Sequence, residues 1–225
     1  MLENLDPIAE SIRATLEAKH AAREAALGSS RVLTRHCANA IRAMHRQEWQ
    51  PAQELLDTAR SVLTAMQSGV EAFPDLYYAG YTQDSFKEYV EARLTFALVR
   101  NEPLPSPQDI GVEEATYLNG VCEAASELRR YILDILRHEH NEEAERLLAA
   151  MDTIYDLLVT FDFPDAISGG LRHRTDALRG VLERTRGDMT NSIRQQRLEA
   201  ALERTEAREQ HSPTPPNLDK PGGVA

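Results

Sequence analysis

Lysine is nearly absent from this chain: of 25 positively charged residues only Lys19, Lys87 and Lys220 are lysines, and the rest are arginine. A guanidinium is the better shape for forked contact with phosphate. A GC-rich genome or an acidic, salt-adapted proteome gives the same ratio, so it decides nothing alone. Cysteine is also scarce. Cys37 and Cys122 have no partner at CxxC spacing, which excludes a zinc knuckle or a disulfide framework and leaves buried free thiols as the expectation. Arg, Glu or Asp interrupts every hydrophobic stretch before it reaches the roughly 18 apolar residues of a membrane span, and no charged-then-apolar leader opens the chain. A soluble, cytoplasmic protein is expected. The formal net charge of -11 argues against indiscriminate coating of nucleic acid, which relies on a basic surface.

Strand-like alternation is missing as well, and helical periodicity fills the space. With 42% hydrophobic residues in 225, there is enough apolar surface for a continuous core. Asp6 and Pro7 read as an N-cap and a first helical residue. Apolar residues then recur from Ile8 to Met44, which suggests one long helix with room for a bend near Gly28. A second helix runs from Pro51 to the Gly69 stop. Residues 81–100 and 112–138 read as two amphipathic helices, separated by a loop with three prolines. Residues 142–161 and 171–208 complete the helical set, and four prolines after residue 210 mark a disordered tail. The expected fold is all-α, a bundle of about six or seven helices, with one domain over residues 1–209 and a tail over 210–225.

Two pairs of glutamates sit in the central helices: Glu88 with Glu91, and Glu123 with Glu127. At about 3.6 residues per turn, each pair shares a helix face, so facing helices can gather four carboxylates. Like charges brought that close persist only if a metal or a proton offsets them. Exposed helix faces carry glutamate at these spacings too, because it is a good helix former. On a helical wheel Glu88 and Glu91 share a stripe with Ala92, Thr95 and Val99, whereas Lys87 points elsewhere. Glu123 and Glu127 lie beside Thr116, Asn119 and Gly120, which leave room next to the acids. Neither pair is followed by histidine as Glu-x-x-His di-iron sites require. All-oxygen ligation favours Mg²⁺ or Mn²⁺, and such an ion suits phosphodiester hydrolysis, where it activates water.

Arg31, Arg35, Asn39, Arg42 and Arg46 fall on one stripe of the first helix, spanning about 22 Å at about 1.5 Å per residue. Such a stripe can follow a nucleic-acid backbone, or it can be an ordinary solvated face. Trp49, Tyr77, Tyr78 and Tyr81 are candidates for base stacking or for packing.

Three stretches of the chain resemble the translin family: Phe73-Pro74-Asp75-Leu76-Tyr77-Tyr78, Lys87-Glu88-Tyr89-Val90-Glu91-Ala92, and the run from Tyr117 through Asn119-Gly120 and Glu123 to Arg130. Leu171-Arg172-His173-Arg174-Thr175-Asp176 matches the basic start of the family's last helix. The family holds translin, a single-stranded RNA and DNA binder, and Trax, which contributes Mg²⁺-dependent endoribonuclease activity to their joint assembly. The resemblance implies a helical subunit of a hollow homo-oligomer, an octamer-like shell with RNA inside. The catalytic, metal-holding positions fall on Glu88, Glu91, Glu123 and Glu127, with Glu123 standing where active members usually carry aspartate. The Ala-Ser-Glu-Leu around Glu127 resembles the non-catalytic translin branch. Arg35, Arg42, Arg46 and Arg172 are the expected RNA-holding arginines. A non-catalytic binder of single-stranded RNA or DNA is the alternative.

Overall fold

The computed structural model describes residues 4–137 and 142–210. These residues are helical with no strand among them, as the periodicity predicts. Among the described residues, six helices of 17 to 41 residues are joined by loops that include three single-turn helices: α1 (Leu5–His45), α2 (Trp49–Val70), α3 (Pro74–Tyr77), α4 (Gly80–Arg100), α5 (Pro107–Ile110), α6 (Glu114–Leu136), α7 (Glu142–Leu158), α8 (Asp165–Ser168) and α9 (Leu171–Gln210). Among the described residues no helix is long and apolar enough to cross a membrane. The expected tail falls outside the described residues except for Gln210, the end of α9, as does the His138-Glu139-His140 triplet.

The helix ends have local causes. α4 stops at Asn101, which takes a left-handed conformation (φ 55°) and returns its N–H to Leu98. Prolines at 103 and 105 then keep the chain out of a helix, and Pro107 takes the first position of the next turn. The next turn, α5, is closed by a capping box in which Ser106 and Asp109 satisfy each other's backbone N–H groups. Arg60 of α2 donates to the Ile110 and Asp109 carbonyls, and Gln67 to that of Gly111, so this loop is tied to the bundle.

α1 packs on α2 and α4, α4 on α6, and α6 on α7 and α9. Leu33, Met44, Leu56, Leu63, Phe86, Leu94, Leu128, Ile132, Leu147 and Met151 are fully buried between these layers. Both cysteines are buried free thiols, as expected.

Two local expectations change. α1 begins at Leu5, with Asn4 at its cap and no side-chain cap bond, so Asp6 and Pro7 lie within its first turn. It runs through Gly28 as one helix, as the continuous apolar spacing predicts. α4 is not amphipathic: Thr82, Phe86, Tyr89, Val90, Leu94, Phe96 and Val99 bury side chains all round its axis. The reason is its position, since α1, α2, α6 and α7 all pack on it. A helix surrounded in this way carries its glutamates inside the bundle rather than on a solvated face.

Candidate functional site

α4 and α6 approach unusually closely where the glutamates lie. A Cβ added to Gly120 would fall 2.5 Å from Val90 Cγ1, 2.6 Å from Val90 Cβ and 3.1 Å from the Lys87 carbonyl oxygen. Only glycine permits that approach, and one turn further along α6 comes Glu123. One carboxylate oxygen from each of Glu88, Glu91 and Glu123 then lies within 4.8 Å of the others. Ligands on opposite sides of a hard octahedral ion stand about 4.2 Å apart, so small side-chain adjustments let this donor set surround one Mg²⁺ or Mn²⁺. All three side chains are half-buried.

The electrostatic cost appears in Glu91. Burial pushes its carboxyl up to about 8, and the charges of Glu88, Glu123 and Glu127 add to the shift, while Lys87 opposes it. Burial also drives the Cys37 thiol of α1 strongly upward, helped by Glu88 and Glu91. A divalent ion among these carboxylates would relieve this repulsion.

The four sequence-predicted acids do not form one equivalent set. Glu88, Glu91 and Glu123 cluster, while Glu127 turns toward α1, where its Oε1 lies 2.5 Å from His45 Nε2. The His45 side chain is only 4% exposed. Its other ring nitrogen, 3.9 Å from Asp134 Oδ2, is buried without a hydrogen bond. Glu127 nevertheless remains near enough to raise the Glu91 carboxyl.

Lys87 overturns its sequence reading. Its ammonium turns into the acids, 2.5 Å from Glu123 Oε2 and 3.3 Å from Glu88 Oε1. The wheel projection marks the direction of Cβ, but a flexible four-carbon stem lets the charged end travel round the helix to its partners. Burial pulls the Lys87 pKa down, yet the hydrogen bond to Glu123 and the charges of Glu123 and Glu88 outweigh it, and the net direction is up. On the other side Arg174 Nε donates to Glu123 Oε1 at 3.1 Å, while its Nη1 donates to Asn119 Oδ1 and the Gly169 carbonyl. The turn before α9 sets this up through Gly169 (φ 62°) and Gly170 (φ 80°), conformations that glycine takes without strain. Arg172 is exposed and makes no hydrogen bond or ion pair with these residues.

Along α1, Arg35, Arg42 and Arg46 are exposed as predicted. Arg42 bonds Asn39 Oδ1 at 2.8 Å and Arg46 is tied to Glu48 at 2.6 Å. Arg31, Arg35 and Arg42 line a shallow groove of about 550 Å³ together with Tyr81, Asp84 and Glu88. A second hollow, of about 410 Å³, shares Asp84 with that groove and is lined by Tyr78, Lys87, Asn119 and Arg174. Arginine stripe and acid cluster therefore meet at Glu88. Trp49 packs edge-on against Phe96, and Tyr77 against Phe86, so those two rings serve the core, whereas Tyr78 is 62% exposed.

No family model matches the chain. AfC3PO, solved in complex with duplex RNA, is 33% identical and superposes with a TM-score of 0.77 over 82% of this chain and 96% of its own. The chain belongs to the translin family. A second structure, a crystal structure of AfC3PO, agrees, at 32% identity and a TM-score of 0.76. Apo-NeC3PO, at 20% identity, shares the fold with a TM-score of 0.71 over 85% of this translin-family chain and 98% of its own. An uncharacterized protein of Methanocaldococcus jannaschii is 29% identical over 191 residues, 84% of each chain.

Proposed function

We propose that this translin-family protein is an RNA-binding, Mg²⁺- or Mn²⁺-dependent endoribonuclease of the Trax type. The observation that carries this reading is the meeting of Glu88, Glu91 and Glu123 oxygens from two helices within 4.8 Å. When bound, the ion supplies water activation and offsets negative charge gathering on the phosphate. Glu88, Glu91 and Glu123 hold it. Glu127, fixed by His45, orients the attacking water and accepts its proton. Arg31, Arg35 and Arg42 hold the RNA backbone in the groove that ends at Glu88, and the RNA complex of AfC3PO, a relative at 33% identity, supports RNA as the ligand. Single-stranded DNA fits the same phosphate-reading groove.

The protein works as a homo-oligomer, octamer-like, in the cytoplasm. Self-association is supported by a bare apolar stripe, Leu5, Ile8, Ile12 and Leu16, each about half exposed along the first turns of α1. An apolar row of that length is unusual on a helix that stays alone in water.

A second reading has its own observation. Lys87 and Arg174 already supply two positive charges to Glu123, which suits a non-catalytic binder whose acids need no ion. Labelled single-stranded RNA incubated with the purified protein decides between them. Cleavage with Mn²⁺ that stops in EDTA and in Glu91→Ala supports the nuclease; RNA retained in EDTA with no products under any divalent ion supports the binder.

A further inference from the structure

Two-ion phosphodiester sites hold their metals about 3.5 to 4 Å apart, a spacing that a carboxylate can span by giving one oxygen to each ion. Glu123 is the acid placed for that bridge, since it faces Glu88 and Glu91 across the helix pair. Both its oxygens are engaged: Oε2 by Lys87 at 2.5 Å and Oε1 by Arg174 at 3.1 Å. A carboxylate offers about four lone-pair positions, so each oxygen keeps one for a further partner. The Lys87 ammonium also reaches Glu88 Oε1 at 3.3 Å, and so stands between two carboxylates where a second cation of a paired site would stand.

We infer that Lys87 is the resident second cation of this site, and that together with Arg174 it limits the site to one divalent ion per chain. The inference rests on the metal-dependent reading proposed above. Charge balance agrees with the geometry. The carboxylates of Glu88, Glu91, Glu123 and Glu127 carry four negative charges when ionised, and Lys87 and Arg174 return two. One divalent ion then balances these six side chains, whereas two ions would leave a partly buried excess of two positive charges on them, a costly state in a poorly solvated interior. The Lys87 side chain is only 11% exposed, so water screens its charge poorly. Lys87 also lines the hollow beside the cluster, which makes its ammonium available to a phosphate there without an additional metal.

Manganese titration of the full chain, followed by loss of the free Mn²⁺ electron-paramagnetic signal, tests this without any turnover. The wild type should take up one Mn²⁺ per chain. Lys87→Met should take up two, and bind the first about ten-fold more tightly or better, because a unit charge a few ångströms away has gone. Lys87→Arg, which keeps the charge, should stay at one. Where Lys87→Met fails to fold by circular dichroism, Arg174→Met at the more exposed flank gives the same reading, a tightening of about ten-fold. Two Mn²⁺ per wild-type chain, or a folded Lys87→Met with unchanged number and affinity, overturns the inference alone. A wild-type chain that binds no Mn²⁺ overturns the metal reading and this inference together.

Discussion

Gly120 of α6 lies so near Val90 of α4 that a single added methyl group would stand 2.5 Å from the valine Cγ1. The contact sets the distance between the two helices that carry Glu88, Glu91 and Glu123, and thus the size of the acid cluster. Gly120→Ala should cost about 1 to 3 kcal/mol through overpacking and weaken Mn²⁺ uptake beyond what the stability loss explains. Urea midpoints and a metal titration on the same preparation check this. A variant as stable as wild type with full Mn²⁺ affinity would show that the close approach does not set the site.

Stability in EDTA should depend on pH through Glu91. An ordinary glutamate titrates near 4.3, and here the folded group is pushed up to about 8. At low pH both folded and unfolded chains hold the proton, so the group costs nothing. As pH rises toward 8 the unfolded chain releases it while the folded chain retains it, and stability falls across that window. Glu91→Gln, which never ionises, should lose this component. The difference in urea midpoint between variant and wild type should grow from pH 5 to pH 8; a difference independent of pH would refute the shift.

Double substitution of Arg35 and Arg42 by alanine should weaken RNA binding and reduce the slope of log affinity against log salt by about 1.4 to 1.8, the share of two phosphate contacts. Mn²⁺ uptake should be unaffected, because neither guanidinium bonds to the acids. An unchanged salt slope would move the RNA path away from α1.

His45→Ala removes the partner that fixes Glu127. If Glu127 serves the attacking water and not the ion, cleavage should fall by about 10² or more while Mn²⁺ number and affinity stay near wild type. Comparison of single-turnover cleavage with the metal titration separates the two roles. A parallel loss of Mn²⁺ would make Glu127 a ligand instead.

Much of this was legible in the residues. Apolar spacing every three or four positions marks the long helices because each packs one stripe or more against a neighbour, and prolines and glycines punctuate their ends for local steric reasons. The Glu88-x-x-Glu91 and Glu123-x-x-x-Glu127 spacings place acids on facing helices. What spacing does not carry is the identity of the partners. His45 reaches Glu127 from 82 positions away and Arg174 reaches Glu123 from 51, separations over which no periodicity runs. Arg174 had one local signal, the Gly169-Gly170 turn that begins α9 beside Asn119. A helical wheel misplaces Lys87 because it fixes Cβ and not the end of a long side chain. The burial of α4 on all sides depends on four neighbours, and its own sequence does not reveal them.

Crystals grown with Mn²⁺ and measured for anomalous scattering test the central claim most directly. The account predicts one peak per chain, at about 2.0 to 2.2 Å from carboxylate oxygens of Glu88, Glu91 and Glu123, with Lys87 still beside Glu123. No peak among these three acids at saturating Mn²⁺, or a peak held by other residues, would contradict it.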